Sequence, residues 1–154
     1  MMTMKRPKIR PPILVIENNA NHWLLVRSTL DKCFPEVEPL WLNDPTQIPR
    51  YIKETLSNRD KLPLLILMEL YLPHLETGWT LLASIKAHSL YQQIPVIILS
   101  HSREPANIIR SYELGAASYI IKPETTYQWI TRFYSFRRYW WELVSLPKRL
   151  RQPV

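Results

Sequence analysis

Leu64-Leu65-Ile66-Leu67-Met68-Glu69-Leu70-Tyr71-Leu72-Pro73 is the stretch that decides the fold. Its first five residues are all apolar, with no polar position to mark a solvent face, so the run reads as a strand buried on both sides. It ends on an acid, Glu69, and a proline-bearing loop follows. The same pattern recurs outward along the chain. Ile13-Leu14-Val15-Ile16 leads into Glu17-Asn18, and Val37–Leu42 is a second strand candidate. Pro95-Val96-Ile97-Ile98-Leu99 leads into Ser100, and Ser118-Tyr119-Ile120-Ile121 leads into Lys122-Pro123.

Helical spacings fill the gaps. Trp23, Leu24, Val26, Leu30 and Cys33 or Phe34 share one period. Asn43 or Asp44 caps a helix with Pro45 in its first turn, although Pro49 disturbs its start. Gly78 opens a helix with Leu81, Leu82 and Ile85 on one face. Ile108, Ile109, Tyr112 and Leu114 mark a short helix closed by Gly115. Thr125 or Thr126 caps a last helix that reaches about Val144. Five strands alternating with five helices imply an α/β domain, a parallel sheet covered on both faces. Ligand sites in such sheets lie beyond the carboxyl ends of the strands. That rule selects Glu17, Asn18, Glu69, Ser100 and Lys122.

Composition narrows the class. The 154 residues, 46% of them hydrophobic, suit one compact domain. No apolar run is long enough to span a bilayer, and the basic start lacks the apolar core of a secretory signal. Cys33 is the sole cysteine, which excludes an internal disulfide and a cysteine metal site. A soluble, cytoplasmic protein is expected. The net charge of +7 sits at the ends: residues 1–10 hold four basic side chains and no acid, and residues 122–154 hold seven against two. The expected organisation is a basic arm at 1–10, a domain at 11–146 and a basic tail at 147–154. Those ends are either solvated tails or contacts for nucleic acid, acidic lipid or an acidic protein. His22, His74, His88 and His101 show no ligand spacing and read as surface residues. Gly78 and Gly115 are the only glycines, so no phosphate-cradling loop is present. No base or nucleophile elbow accompanies Ser100.

From about Ile13 to Phe136 the chain resembles a bacterial two-component receiver domain. The resemblance rests on strand ends in order: Glu17-Asn18 at the acidic pair, Glu69 at the phosphoacceptor, Ser100 at the hydroxyl position, and Gly115-Ala116-Ala117-Ser118-Tyr119-Ile120-Ile121-Lys122-Pro123. The stretch from Pro73 to Gly78 matches the family's proline-to-glycine loop, with about one residue more. It implies a doubly wound, flavodoxin-like fold with strand order 2-1-3-4-5, an aromatic switch at Tyr119, and a cis peptide after the lysine, at Pro123. In such a site a divalent ion, a lysine ammonium and a hydroxyl hold the oxygens of a phosphoryl group carried on aspartate.

This chain departs from that pattern where it matters. Glu69 is one methylene longer than aspartate, a displacement of about an ångström that costs roughly a hundredfold in rate. Asn18 replaces a charged ligand with a neutral amide, and Glu17 keeps its charge on a longer arm. The resemblance therefore implies an atypical receiver that is not an enzyme, has weak or absent Mg²⁺ binding and needs no other cofactor. Glu69 and Lys122 are expected to pair, and Glu69 either mimics the active state or marks an inert scaffold. Two rivals remain: a conventional receiver that takes phosphate from a histidine kinase, and a nucleic-acid module using the basic ends. The second lacks a recognition helix or a stacking sheet.

Residues 127–141 carry eight aromatic side chains. One stripe, Trp129, Ile130, Phe133, Phe136 or Arg137, Trp140, Leu143 and Val144, is expected to face inward. Tyr134, Arg138 and Trp141 are the candidates for a spare face, of interface composition. The tail resembles that of single-domain receivers paired with bacterial phytochromes, and no output domain is expected after it. The implied partners are a sensor histidine kinase or a phytochrome-like sensor, and a second copy of the chain in a homodimer. Membrane and nucleic-acid partners are not expected.

Overall fold

The computed structural model describes residues 10–147. Five parallel strands form one sheet: β1 (Pro12–Ile16), β2 (Glu38–Leu42), β3 (Leu65–Met68), β4 (Val96–Ser100) and β5 (Ser118–Ile121), in the order β2-β1-β3-β4-β5. This is the expected flavodoxin-like topology. The register pairs Ile16 with Leu42 and Met68, Met68 with Ile98, and Ser100 with Ile121, so the strand ends form one rim.

The side-chain period of two divides the core. Leu14, Ile16, Ile66, Met68 and Ile98 face one way; Ile13, Val15, Leu65, Leu67, Ile97 and Leu99 face the other. Helices α1 (Ala20–Cys33) and α5 (Thr126–Arg137) cover the second face through Val26, Leu30, Trp129, Phe133 and Phe136. Helices α2 (Ile48–Ser57) and α3 (Leu75–Ala87) cover the first through Ile48, Leu82 and Ile85, and α4 (Pro105–Glu113) packs beside β5.

Helix starts follow their caps. The Asn19 side chain accepts from the N–H groups of Asn21 and His22, and Thr125 accepts from Gln128. Asp44 caps a single 3₁₀ turn, Pro45–Gln47, and α2 then begins with Pro49 in its first turn. The proline thus occupies a position whose N–H needs no partner. Gly78 lies in the first turn of α3 rather than opening it.

The structure departs from two expectations. The Lys122–Pro123 bond is not cis; among the described residues the cis bond is Leu72–Pro73. An X–Pro bond prefers trans by only about 0.5–1 kcal/mol, so local packing, which a dipeptide does not reveal, selects the isomer. The last helix also changes type. After Arg137 it continues as a π-helix, Arg138–Leu143, in which the Val144 N–H reaches the Tyr139 carbonyl at 3.0 Å. The wider turn rotates the side chains off the α period. Trp141 swings onto Phe34, ring centroids 5.6 Å apart, and is half-buried rather than spare, while Leu143 is exposed rather than inward. Tyr134 and Arg138 do remain exposed.

Arg137 holds this end in place. Its Nε donates to both Glu36 oxygens at 3.0 Å, and its Nη1 donates to Glu142 at 2.6 Å. The guanidinium holds the Glu36 carboxyl below its usual range, and the two carboxylates raise Arg137 further. The proposed tail residues 148–154 and arm residues 1–9 lie outside the described residues.

Candidate functional site

The rim of the sheet brings Glu17, Glu69, Ser100 and Lys122 together, all of them buried. Each follows or ends a strand whose apolar residues hold it at the top of the core. Lys122 is central: its ammonium donates to Glu17 Oε2 at 2.8 Å and lies 3.6 Å from Glu69 Oε2. The expected Glu69–Lys122 pair is therefore present, but the closer partner is Glu17. Lys122 also donates to His22 Nδ1 at 2.9 Å. An ammonium carries donors only, so that imidazole nitrogen accepts and His22 keeps its proton on Nε2.

Glu17 accepts from three donors. Besides Lys122, it accepts from the Asn19 N–H at 3.1 Å. The orientation of the Asn18 amide that satisfies its surroundings turns its NH₂ to Glu17 Oε1 at 3.3 Å and to the Tyr71 carbonyl at 3.2 Å. Glu69 is the reverse case: its Oε2 is buried without a hydrogen-bond partner. Ser100 Oγ accepts from the Ser102 N–H at 3.4 Å, and the half-buried Tyr119 donates its hydroxyl to the Ser102 carbonyl at 2.7 Å.

Two residues at this rim have no sequence signal beyond their neighbours. His22 sits in the first turn of α1, and His101 follows Ser100; their rings meet edge-on, centroids 5.1 Å apart. Both read as scattered surface histidines in sequence. The clue available was position: one lies three residues past the Asn19 cap and the other one residue past β4, so both abut the rim.

The pocket's electrostatics follow from burial. Desolvation pushes the Glu69 carboxyl up from 4.5 to about 7, the Glu17 charge adds to it, and Lys122, Ser100 and the Leu70 N–H oppose it. Burial and Lys122 hold His22 and His101 below 6.5. These shifts have opposite signs in stability. The raised Glu69 contributes fully below about 4.5 and loses that contribution as pH climbs through about 7. The lowered histidines contribute above 6.5 and lose it as pH falls through their folded values. Glu69→Gln removes only the first. The stability of wild type minus that of the variant is expected to fall by on the order of 3 kcal/mol from acid to neutral pH. Urea unfolding at a series of pH values measures it, and a flat difference refutes the assignment.

Residues 13–133 match the response regulator receiver domain. The chain belongs to that family. It is 29% identical to response regulator Rcp1 of Synechocystis over 143 residues, covering 92% of this chain and 94% of Rcp1. It is also 29% identical to the probable methanogenesis regulatory protein FilR2 of Methanothrix harundinacea over 111 residues, 72% of this chain and 71% of FilR2. The phosphorylated cyanobacterial phytochrome response regulator RcpA superposes with a TM-score of 0.79 at 27% identity, covering 90% of this chain and 99% of RcpA. Rcp1 has been solved with Mn²⁺ bound, and superposes with a TM-score of 0.75 at 28% identity over 89% of this chain and 99% of Rcp1. No helix among the described residues is long and apolar enough to cross a membrane.

The residues present here do not fit a divalent ion. Mg²⁺ requires oxygen ligands at about 2.0–2.1 Å in near-octahedral order. Glu17 already accepts from three donors, Asn18 turns its NH₂ inward, and an ammonium lies within 3.6 Å of both carboxylates.

Proposed function

We propose that this chain is an atypical receiver that signals through protein contact, with Glu69 in place of a phosphorylated aspartate. The observation that carries this reading is the buried Lys122 ammonium, 2.8 Å from Glu17 and 3.6 Å from Glu69. The lysine that a phosphoryl group would need is already engaged, and the cation that would assist transfer meets a Glu17 that accepts from three donors and an Asn18 that presents its NH₂. In this reading Glu17, Asn18, Glu69, Ser100, Tyr119 and Lys122 are a conformational core rather than a reaction centre. The protein is not an enzyme and needs no cofactor. It works in the cytoplasm, with a receiver over residues 11–146 between basic ends.

The partner in this proposal is a sensor histidine kinase or a phytochrome-like sensor. Similarity to RcpA, described as a phytochrome response regulator, supports that choice. The experiment is intact mass after incubation with acetyl phosphate and Mg²⁺. Wild type is expected to gain no phosphoryl mass, and Glu69→Asp with Asn18→Asp to gain a detectable fraction. Ready labelling of wild type that Glu69→Gln abolishes would establish the conventional reading instead.

Self-association is the second part of the proposal. Tyr134, Tyr139 and Arg138 are exposed on the α5 end, and an aromatic–arginine patch of this kind is self-complementary across a two-fold axis. Arg138→Glu is expected to weaken a dimer by about 2 kcal/mol without loss of fold. Sedimentation at micromolar concentration tests this, and a monomeric wild type removes the dimer from the proposal.

A further inference from the structure

We propose that the groove between α2 and α3 is a small-molecule site, and that its ligand is a ring acid: a flat aromatic or polycyclic carboxylate with further hydroxyl or carbonyl oxygens along one edge. The groove lies on the face of the sheet opposite α1 and α5 and shares no residue with the Glu17–Lys122 cluster. Its assignment stands whether or not the chain accepts phosphate.

The groove follows from how α2 is seated. The two helices run side by side, because each returns the chain from one parallel strand to the next. Helix α3 buries Trp79, Leu81, Leu82 and Ile85, whereas α2 buries only Ile48 and Thr55. The rest of the α2 apolar stripe, Ile52 and Leu56, forms one wall of an open hollow of about 730 Å³, and Leu56 is 45% exposed. Ile48, Ile52 and Leu56 recur every four residues, so they present one continuous strip about 12 Å long. A hollow of this size falls within the range of small-ligand sites, about 300–1,000 Å³.

The opposite wall is of another kind. Thr77, Thr80 and Ser84 follow one another along α3 at helical spacing, and all three line the groove. Elsewhere helical hydroxyls turn back onto their own backbone. Thr29, Ser111, Thr131 and Ser135 each donate to the carbonyl four residues earlier, at 2.7, 2.8, 2.8 and 3.4 Å. The three α3 hydroxyls make no such bond among the described residues, so each can donate or accept across the groove. Two further donors border it. Arg50 takes Glu54 as its partner at 3.3 Å, which leaves Lys53 without a carboxylate among the described residues. His88 accepts the N–H groups of Leu90 and Tyr91 on Nδ1, both at 3.2 Å, so its proton is on Nε2. The lining acid, Glu76, is in the first turn of α3, at the far end from His88.

These walls select the ligand. A plain acyl carboxylate would satisfy the apolar strip and Lys53, but it would cover the hydroxyls and give them no partner, at a cost for each. A neutral ring would leave the ammonium without a counter-charge. A ring acid meets all of these demands: its face lies on Ile52 and Leu56, its edge oxygens meet Thr80 and Ser84, and its carboxylate meets Lys53.

The test is amide NMR of the full chain titrated with 3-hydroxy-2-naphthoate, with decanoate and 2-naphthol as controls that each lack one feature. The naphthoate is expected to saturate with a dissociation constant of about 0.1–1 mM, the strength its size allows, and to shift the amides of Ile52, Leu56, Thr80 and Ser84 most. Each control is expected to bind at least about fivefold more weakly. Thr80→Ala with Ser84→Ala, at two exposed positions where alanine favours the helix, is expected to keep the fold and to lose about tenfold in affinity. Leu56→Glu, which places a like charge on the apolar strip from an exposed position, is expected to abolish binding. No saturable shift at these amides up to about 5 mM naphthoate, or undiminished binding by Leu56→Glu, overturns the site. A control that binds as tightly as the naphthoate overturns the ligand class. A double alanine variant that binds like wild type overturns the role of the α3 hydroxyls.

Discussion

Lys122→Met is expected to lower stability by about 3–5 kcal/mol, the usual cost of removing one partner from a buried charge cluster. The loss is not that of one bond at 2.8 Å. It is the cost of leaving Glu17 and Glu69 desolvated and facing the same space without a cation. The size of the effect therefore depends on pH. In acid the Glu69 carboxyl is neutral and the loss shrinks; above about 7, where Glu69 is ionised even in wild type, it is greatest. Combining Lys122→Met with Glu17→Gln and Glu69→Gln removes the charges together. That triple variant is expected to recover about half of the loss, because no buried charge is left without a counter-charge while the two buried amides keep a cost of their own. Urea unfolding gives both numbers. A single variant that costs less than about 1 kcal/mol at neutral pH would mean that the cluster is solvated in solution.

Gly78→Ala is expected to cost about 3 kcal/mol, at the upper end for overpacking. A Cβ at this position would lie 2.0 Å from the Leu70 carbonyl oxygen and 2.7 Å from its carbon. Neither atom is the tip of a flexible side chain, so the backbone must move. Leu70 follows Glu69 directly, and α3 is pressed against the loop that leaves β3. Relief of the clash therefore displaces the pocket as well as the helix. The expected signature is a lower urea midpoint together with amide shifts at Glu17, Glu69 and Lys122. Shifts confined to α3 would show that the loop and the pocket are mechanically separate.

The strands were legible because parallel strands are buried on both faces and leave uninterrupted apolar runs. Glu17, Glu69, Ser100 and Lys122 were legible for the same reason, since each stands where a run stops. What escaped lies where direction, not position, decides. Nothing in the spacing of His22 tells that the first turn of α1 aims its ring at Lys122. The amide of Asn18 offers either an oxygen or two donors, and only its neighbours choose. The π-helical end is silent in sequence, because its wider turn leaves Trp141 and Leu143 on an apolar pattern that an α-helix would also display. The expectation for Pro123 failed in a similar way: the dipeptide matched its family position, but the isomer belongs to the packing around it.

The engagement of Glu17 by Lys122, Asn19 and Asn18 has a consequence for how information passes through this protein. A receiver that is written by a kinase stores a bit on each molecule, and that bit decays with a lifetime. In the reading proposed here each molecule has nothing to store and nothing to erase. Its message is its abundance, set against the number of partner sites and their affinity. The response then follows a binding isotherm, graded in protein concentration, and it ends when the protein is diluted, displaced or degraded rather than when a phosphatase acts.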